Sequence, residues 1–458
     1  MLAIVPVRRP PEAARGWLLL ILFLPWVGLA LFLLVGSHRL PRWRREMLAR
    51  QPAAFAAVRQ RLEQHPDITR PALASELQQS VKLAESLGQL PILGGNAVDF
   101  LGNYNDTIDW LVADIDAARN HVHLLFYIFA DDRVGGRVVD ALVRAAQRGV
   151  RCRVLVDSLA SRKYLSGLYA RLVPAGIHLE ESLPVGFWRL LRWRMARIDL
   201  RNHRKIAVVD GHVGYTGSQN LVDAHFKPGL TFDDLMVRVT GPVVLELQYV
   251  FATDWFVETE EVLDGAEIYP DPERPGAAAA QALPSGPSLP TENNQRLFVS
   301  LIHGARHKVV LTTPYFVPDE PLLQAMQTAV LRGVEVQLIV SDQADQVMVS
   351  LAQRSYYEEM LEEGIRIHLY CGHFLHAKHM SVDDEVALIG SSNMDIRSFQ
   401  LNNEISLLFY GDAVAARLHK EADRCLQNCR ALDAKEWAAR SIVRKMVEQL
   451  ARLVGPLL

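Results

Sequence analysis

The strongest constraint on this chain is a pattern that occurs twice. H-x-K-x-x-x-x-D is met at His203, Lys205 and Asp210, and again at His376, Lys378 and Asp383. Seven residues after each aspartate comes G-S-x-N: Gly217, Ser218 and Asn220 in the first copy, Gly390, Ser391 and Asn393 in the second. Only nine of the 49 basic residues are lysines. At that lysine frequency, with average usage elsewhere, about 0.02 chance matches are expected in a chain of this length. Two matches in register report a duplication, and a duplicated unit sets the architecture before any single element does.

The surrounding sequence agrees. Residues 121–129 (HVHLLFYIF) and 308–316 (KVVLTTPYF) read as strands, residues 137–147 and 321–331 as amphipathic helices, and 152–157 and 336–339 as second strands. Arg148-Gly149-Val150 answers to Arg332-Gly333-Val334. This alternation predicts an α/β class: a duplicated sheet flanked by helices, in a pseudo-two-fold arrangement. The repeats are expected at 99–262 and 294–425, joined by a Pro/Ala/Gly-rich linker at 263–293. Residues 40–98 read as a helical connector. Residues 426–458 read as an amphipathic C-terminal helix, with Ile442, Met446, Leu450 and Leu453 at helical spacing.

A mean hydropathy of +0.06 excludes a polytopic membrane protein but leaves room for one span. No charge occurs between Arg15 and Arg39, and residues 17–36 (WLLLILFLPWVGLALFLLVG) are long enough for a transmembrane helix. With its flanks the run makes an N-terminal membrane anchor, 1–39. Arg8, Arg9 and Arg15 precede the run; Arg39, Arg42, Arg44, Arg45 and Arg50 follow it, which weakly places the body in the cytoplasm. Four cysteines exclude a disulfide scaffold. A net charge of −3 counts against a nucleic-acid coat.

On a strand, His and Lys two apart share a face. Two such copies folded together would surround one cavity with two imidazoles and two ammonium groups, a set suited to a phosphodiester. Lysines neutralise the charge that builds on phosphorus. One histidine attacks phosphorus and forms a phosphohistidine; the other protonates the leaving alkoxide and then deprotonates the acceptor. The residues leave open which is which. Ser218, Asn220, Ser391 and Asn393 are expected to bind the substrate phosphate. Asp210 and Asp383 complete the motifs, holding loops and lysines rather than touching substrate.

This constellation resembles the phospholipase D superfamily with its two HKD motifs. Leu200 to Lys205 in sequence (LRNHRK), residues 312–319 (TTPYFVPD) and residues 391–398 (SSNMDIRS) are similar to bacterial cardiolipin synthases. The resemblance implies a phosphatidyltransferase that passes a phosphatidyl group from one phosphatidylglycerol to another, giving cardiolipin and glycerol, with no metal and no cofactor. By the usual order in that superfamily, it implies His203 as nucleophile and His376 as acid/base. It implies an acidic residue that orients a catalytic histidine, for which Glu404 and, in the first copy, Asp234 or its neighbour Asp233 are the candidates. It also implies phosphatidylglycerol and anionic membrane lipids as partners, at the bacterial inner membrane with the body on the cytoplasmic side. A hydrolytic phospholipase D on the same lipids is the alternative, and a nucleic-acid phosphodiesterase a more distant one. Leu200 departs from the aromatic common at that position, and only one convincing N-terminal span is found where two are usual.

Residues 184–197 (PVGFWRLLRWRMAR) form an insertion with no counterpart in the second copy. Its aromatics interleaved with arginines suit the headgroup boundary of an anionic membrane, with nucleic-acid binding or an ordinary basic surface loop as the alternatives. Cys371, His373, His376 and His379 cluster in the sequence, but the first copy has no matching cysteine, and they read as no metal site.

Overall fold

The computed structural model describes residues 4–5, 11–36, 40–50, 52–185, 197–289, 291–453 and 455. The Trp/Arg insertion lies outside the described residues between 186 and 196, as do Arg8, Arg9 and Arg39.

The first repeat contains strands β1 (Leu93–Leu101), β2 (His121–Phe126), β3 (Arg151–Asp157), β4 (His178–Ser182), β5 (Ile206–Val209), β6 (Val213–Gly217) and β7 (Met236–Thr240). The second contains β8 (Ala278–Ser285), β9 (Lys308–Thr312), β10 (Glu335–Ser341), β11 (Arg366–Tyr370), β12 (His379–Val382), β13 (Val386–Gly390), β14 (Asn402–Tyr410) and a terminal β15 (Cys429–Ala431). They form one continuous sheet in the order β15-β11-β10-β9-β12-β13-β14-β8-β1-β7-β6-β5-β2-β3-β4. The order is mirrored about the antiparallel β1–β8 pair, where the two repeats meet.

This places β8 inside the stretch 263–293, read above as a linker. The segment AAAQALPS lacks β-branched residues and alternation, so its pattern does not announce a strand. Its small side chains are instead wedged between β1 and β14. By this mirror order the repeats open at β1 and β8, before the expected starts at 99 and 294.

Helices cover both faces of the sheet, which explains why β2, β12 and β13 are buried along their whole length. Eight of them matter below: α1 (Pro11–Phe23), α2 (Pro25–Val35), α3 (Arg133–Gln147), α4 (Val244–Thr259), α5 (Glu320–Leu331), α6 (Val347–Arg354), α7 (Asp412–Leu426) and α8 (Ile442–Leu453). The equivalent helices α3 and α5 are capped alike. Asp132 accepts from the Val134 and Gly135 amides, and Asp319 from that of Leu322. Gly149 and Gly333, the glycines of the repeated R-G-V turns, take φ of 90° and 86° just past the two helix ends, where a side chain would be strained. One core lies within each repeat, and a third, containing α4 and α7, joins them across the junction.

The N-terminal apolar run is not one spanning helix. Pro25 has no amide to donate and its ring opposes continuation. The run divides at Leu24, whose φ and ψ are −130° and 70°. At about 1.5 Å per residue, α1 and α2 are roughly 20 and 17 Å long, short of a hydrocarbon layer of about 30 Å. Among the described residues no helix is long and apolar enough to cross a membrane. The two helices fold back on each other: Trp17 meets Phe32 edge to face, centroids 5.5 Å apart. Gly28 permits the approach, since a Cβ there would lie 2.8 Å from the Ile21 Cα.

Candidate active site

The two motifs meet at a cavity of about 390 Å³ between the repeats. His203 and His376 both line it, with Asn220 and Asn393. Each histidine is held by the other repeat. A two-residue strand, Arg201–Asn202, pairs in parallel with Asn402–Asn403, and the His203 amide continues it by donating to the Asn403 carbonyl at 2.9 Å. The next residue, Glu404, then takes His203 Nδ1 between both carboxylate oxygens at 3.0 Å. The second copy does the same in reverse. Phe374–Leu375 pairs with Phe232–Asp233, the His376 amide donates to Asp233 O at 2.7 Å, and His376 Nδ1 lies 2.7 Å from Asp234 Oδ1.

A carboxylate only accepts, so each Nδ1 carries the proton and each Nε2 keeps its lone pair. Burial is the main influence on both rings. It pulls His203 down to about 4, against the opposing pull of Glu404. Burial likewise lowers His376, with Asp234 opposing and Lys378 assisting. Burial would raise both carboxyls, but the facing histidines and lysines outweigh it, and Glu404 and Asp234 end below the usual range. His203 is therefore neutral near pH 7.

Lys205 and Lys378 are buried beside the histidines and donate to the carbonyls of His203 and His376. Lys205 also faces the Tyr127 ring at 5.4 Å. Burial lowers them to about 7 and about 8, and each is lowered less by its neighbouring carboxylates' presence than it would be alone.

The motif aspartates lie away from the cavity. Asp210 accepts three amides, from Arg119, Asn120 and His121, each at 2.8 Å. Asp383 does the same for Arg306, His307 and Lys308. Both take left-handed φ, 53° and 51°. They fasten the turn after the motif strand to the start of β2 or β9.

The expectation that Ser218 and Ser391 bind phosphate does not fit their positions. Both are fully buried. Ser218 Oγ accepts from Leu235 N and donates to Leu235 O. Ser391 Oγ donates to Glu404 and accepts from Ile405 N. They fix the strands that carry Asp234 and Glu404. The glycines before them are there for closeness: a Cβ at Gly217 or Gly390 would collide with the Leu235 or Ile405 carbonyl. Only the asparagines of the G-S-x-N elements reach the cavity, and Asn220 Oδ1 accepts from Ile128 N at 3.1 Å.

Sequence reasoning missed much of the lining. Arg201 and Arg397 stand on the wall with Tyr127, and Lys227, Tyr315 and Asp345 elsewhere around the cavity. Lys227 and Tyr315 both reach Asp345, at 2.6 Å each. Arg201 immediately precedes a motif and Tyr315 lies in the TTPYFVPD segment, so their neighbourhoods were visible while their roles were not. The walls also differ. His376 is flanked by Phe232 and Phe374, whereas Arg201 occupies the position equivalent to Phe374, two before His203.

A family model described as "Cardiolipin synthase, PLD-like domain" matches residues 111–255 and 298–426. Cardiolipin synthase A of Yersinia pseudotuberculosis serotype O:1b (strain IP 31758) is 34% identical over 466 residues, covering 100% of this chain and 95% of that protein. Cardiolipin synthase A of Yersinia pestis bv. Antiqua (strain Angola) matches to the same extent. The crystal structure of phosphatidylserine synthase from Haemophilus influenzae Rd KW20 superimposes with a TM-score of 0.65 at 16% identity, over 83% of this chain and 100% of that one, a likeness of fold.

Proposed function

The chain belongs to the cardiolipin synthase family of phospholipase D-like proteins, and from that premise we propose how its own residues carry the reaction. It is a phosphatidyltransferase that joins two phosphatidylglycerol molecules into cardiolipin and releases glycerol. The observation that supports the mechanism best is the crossed pairing of two cavity-lining histidines with two buried carboxylates.

His203 Nε2 attacks the phosphorus of the first phosphatidylglycerol. His376 takes up a solvent proton at Nε2 as the anionic substrate enters; the P–N bond then forms as the bond from phosphorus to the head glycerol oxygen breaks, and His376 gives that oxygen its Nε2 proton. Glycerol leaves, and the phosphatidyl group stays on His203. The terminal hydroxyl of a second phosphatidylglycerol enters, loses its proton to His376 and attacks phosphorus. The P–N bond breaks and cardiolipin departs. Lys205 and Lys378 stabilise the charge that builds on the phosphoryl oxygens, and an entering anion strengthens their hold on their protons. Glu404 and Asp234 fix the ring orientations and stabilise each imidazolium as it forms. Asn220 and Asn393 are the amides placed to donate to the phosphate.

The reading includes contact with a bilayer. Leu22, Phe23 and Trp26 at the tip of the α1–α2 hairpin are exposed, Trp26 to 84%, and support contact with a membrane rather than a crossing of it. Arginines 45 and 50, exposed just beyond the hairpin, fit the inner face of the bacterial inner membrane.

The test is product analysis. Purified enzyme incubated with head-labelled phosphatidylglycerol in vesicles should yield cardiolipin and free glycerol. Phosphatidic acid as the sole lipid product would refute transfer in favour of hydrolysis.

A further inference from the structure

The C-terminal helix α8 has two unlike faces. One packs on the body: Glu448 and Ala451 are buried, Lys445 reaches Glu358 at 2.7 Å, and Arg452 lies 4.0 Å over the Tyr356 ring. The other is apolar and open, with Ile442, Val443, Met446, Leu450 and Leu453 each at least 59% exposed. Val347 and Met348 at the start of α6 are also exposed.

This surface adjoins the active-site cavity. Gln346 and Val349, on either side of Val347 and Met348, line the cavity. Just past the end of α8, Gly455 approaches Val317, another lining residue, so closely that a Cβ on it would lie 3.2 Å from Val317 Cγ1. The open apolar face thus extends from the cavity wall.

We propose that this face of α8, with Val347 and Met348, docks on an anionic lipid bilayer and presents the cavity mouth to it. The inference rests on the phosphatidylglycerol reading of the site. A cavity of about 390 Å³ takes a headgroup, while two acyl chains must remain in an apolar medium outside it. Apolar side chains at the mouth supply that continuity. Lys445 and Arg452 pair with Glu358 and Glu359 of the body, while Arg444, half exposed and 3.4 Å from Glu448, lies at the edge of the apolar stripe, where a basic group suits an anionic surface.

The experiment uses the full chain carrying Met446→Glu and Leu450→Glu, with Ile442→Glu and Val443→Glu as a second pair. All four positions are exposed, so folding should be kept. Turnover is measured on phosphatidylglycerol/phosphatidylcholine vesicles and on short-chain phosphatidylglycerol below its micelle concentration. The proposal expects vesicle turnover to fall roughly tenfold or more while short-chain turnover stays within about twofold. Unchanged vesicle turnover overturns it. An equal loss on both substrates overturns it too, including a loss that accompanies conversion of a dimer to monomer, which would assign the face to a second copy. If the parent chain makes no cardiolipin from either substrate, the enzymatic reading fails by itself. Sedimentation with the vesicles then decides the docking: weakened in the variants it supports the surface, unchanged it overturns it.

Discussion

Glu404 of the second repeat grips His203 of the first, both its carboxylate oxygens lying 3.0 Å from Nδ1. Neither repeat completes its histidine–carboxylate pair by itself. The backbone bond from His203 N to Asn403 O, one residue before Glu404, makes this crossing a consequence of strand pairing rather than of side-chain reach.

Glu404→Gln should therefore damage the first repeat's histidine. Loss of a group that tunes general acid–base or nucleophilic chemistry predicts a fall in kcat of about 10²–10⁴. Glu404 raises the proton affinity of His203, so removing it lowers that affinity further. His203 then stays neutral to lower pH, and any acid limb that it sets moves down. A kcat/KM–pH profile checks this; an unchanged rate would contradict the assignment.

Asp234→Asn tests the other half. Asp234 raises His376 against burial, so its loss lowers His376 further. The protonated form needed by a general acid becomes scarcer at any given pH. Activity should drop and its optimum should move toward acid. A shift toward alkali would contradict the role given to His376.

The buried lysines predict an alkaline limb. Burial brings Lys205 to about 7 and Lys378 to about 8, so both lose their charge as pH rises through that window. In kcat/KM, which reports free-enzyme groups, activity should decline across it. A flat profile there would show that the lysines keep their protons.

Asp210→Ala and Asp383→Ala should act on stability. Each removes the acceptor of three amides from a left-handed turn. A loss of about 1–3 kcal/mol is expected, from the cost of unsatisfied donors. Denaturation should show it, while kcat of the folded fraction stays near that of the parent. A normal melting temperature with lost kcat would make these aspartates catalytic.

The sequence made the duplication legible because two rare lysines recur in register, and it pointed to Glu404 and Asp234 by distance from their motifs. It could not show the exchange between repeats, since strand pairing is not encoded in linear spacing. Asp233 and Asp234 were inseparable until the pairing set their faces: Asp233 accepts from Tyr370 at 2.6 Å, leaving Asp234 for His376. Ser218 and Ser391 misled because a small hydroxyl after glycine serves a buried strand crossing as well as a phosphate. The hydrophobic run misled for a different reason. Hydropathy averages over Pro25, whereas the backbone cannot.

The central claim is that the phosphatidyl group rests on His203 between the two transfers. Rapid acid-free quench of the enzyme with phosphorus-labelled phosphatidylglycerol, followed by peptide mapping, addresses it directly. The account predicts label on the peptide carrying His203 and its loss in His203→Ala. Label on His376 alone, or turnover to cardiolipin with no labelled histidine at all, would contradict it.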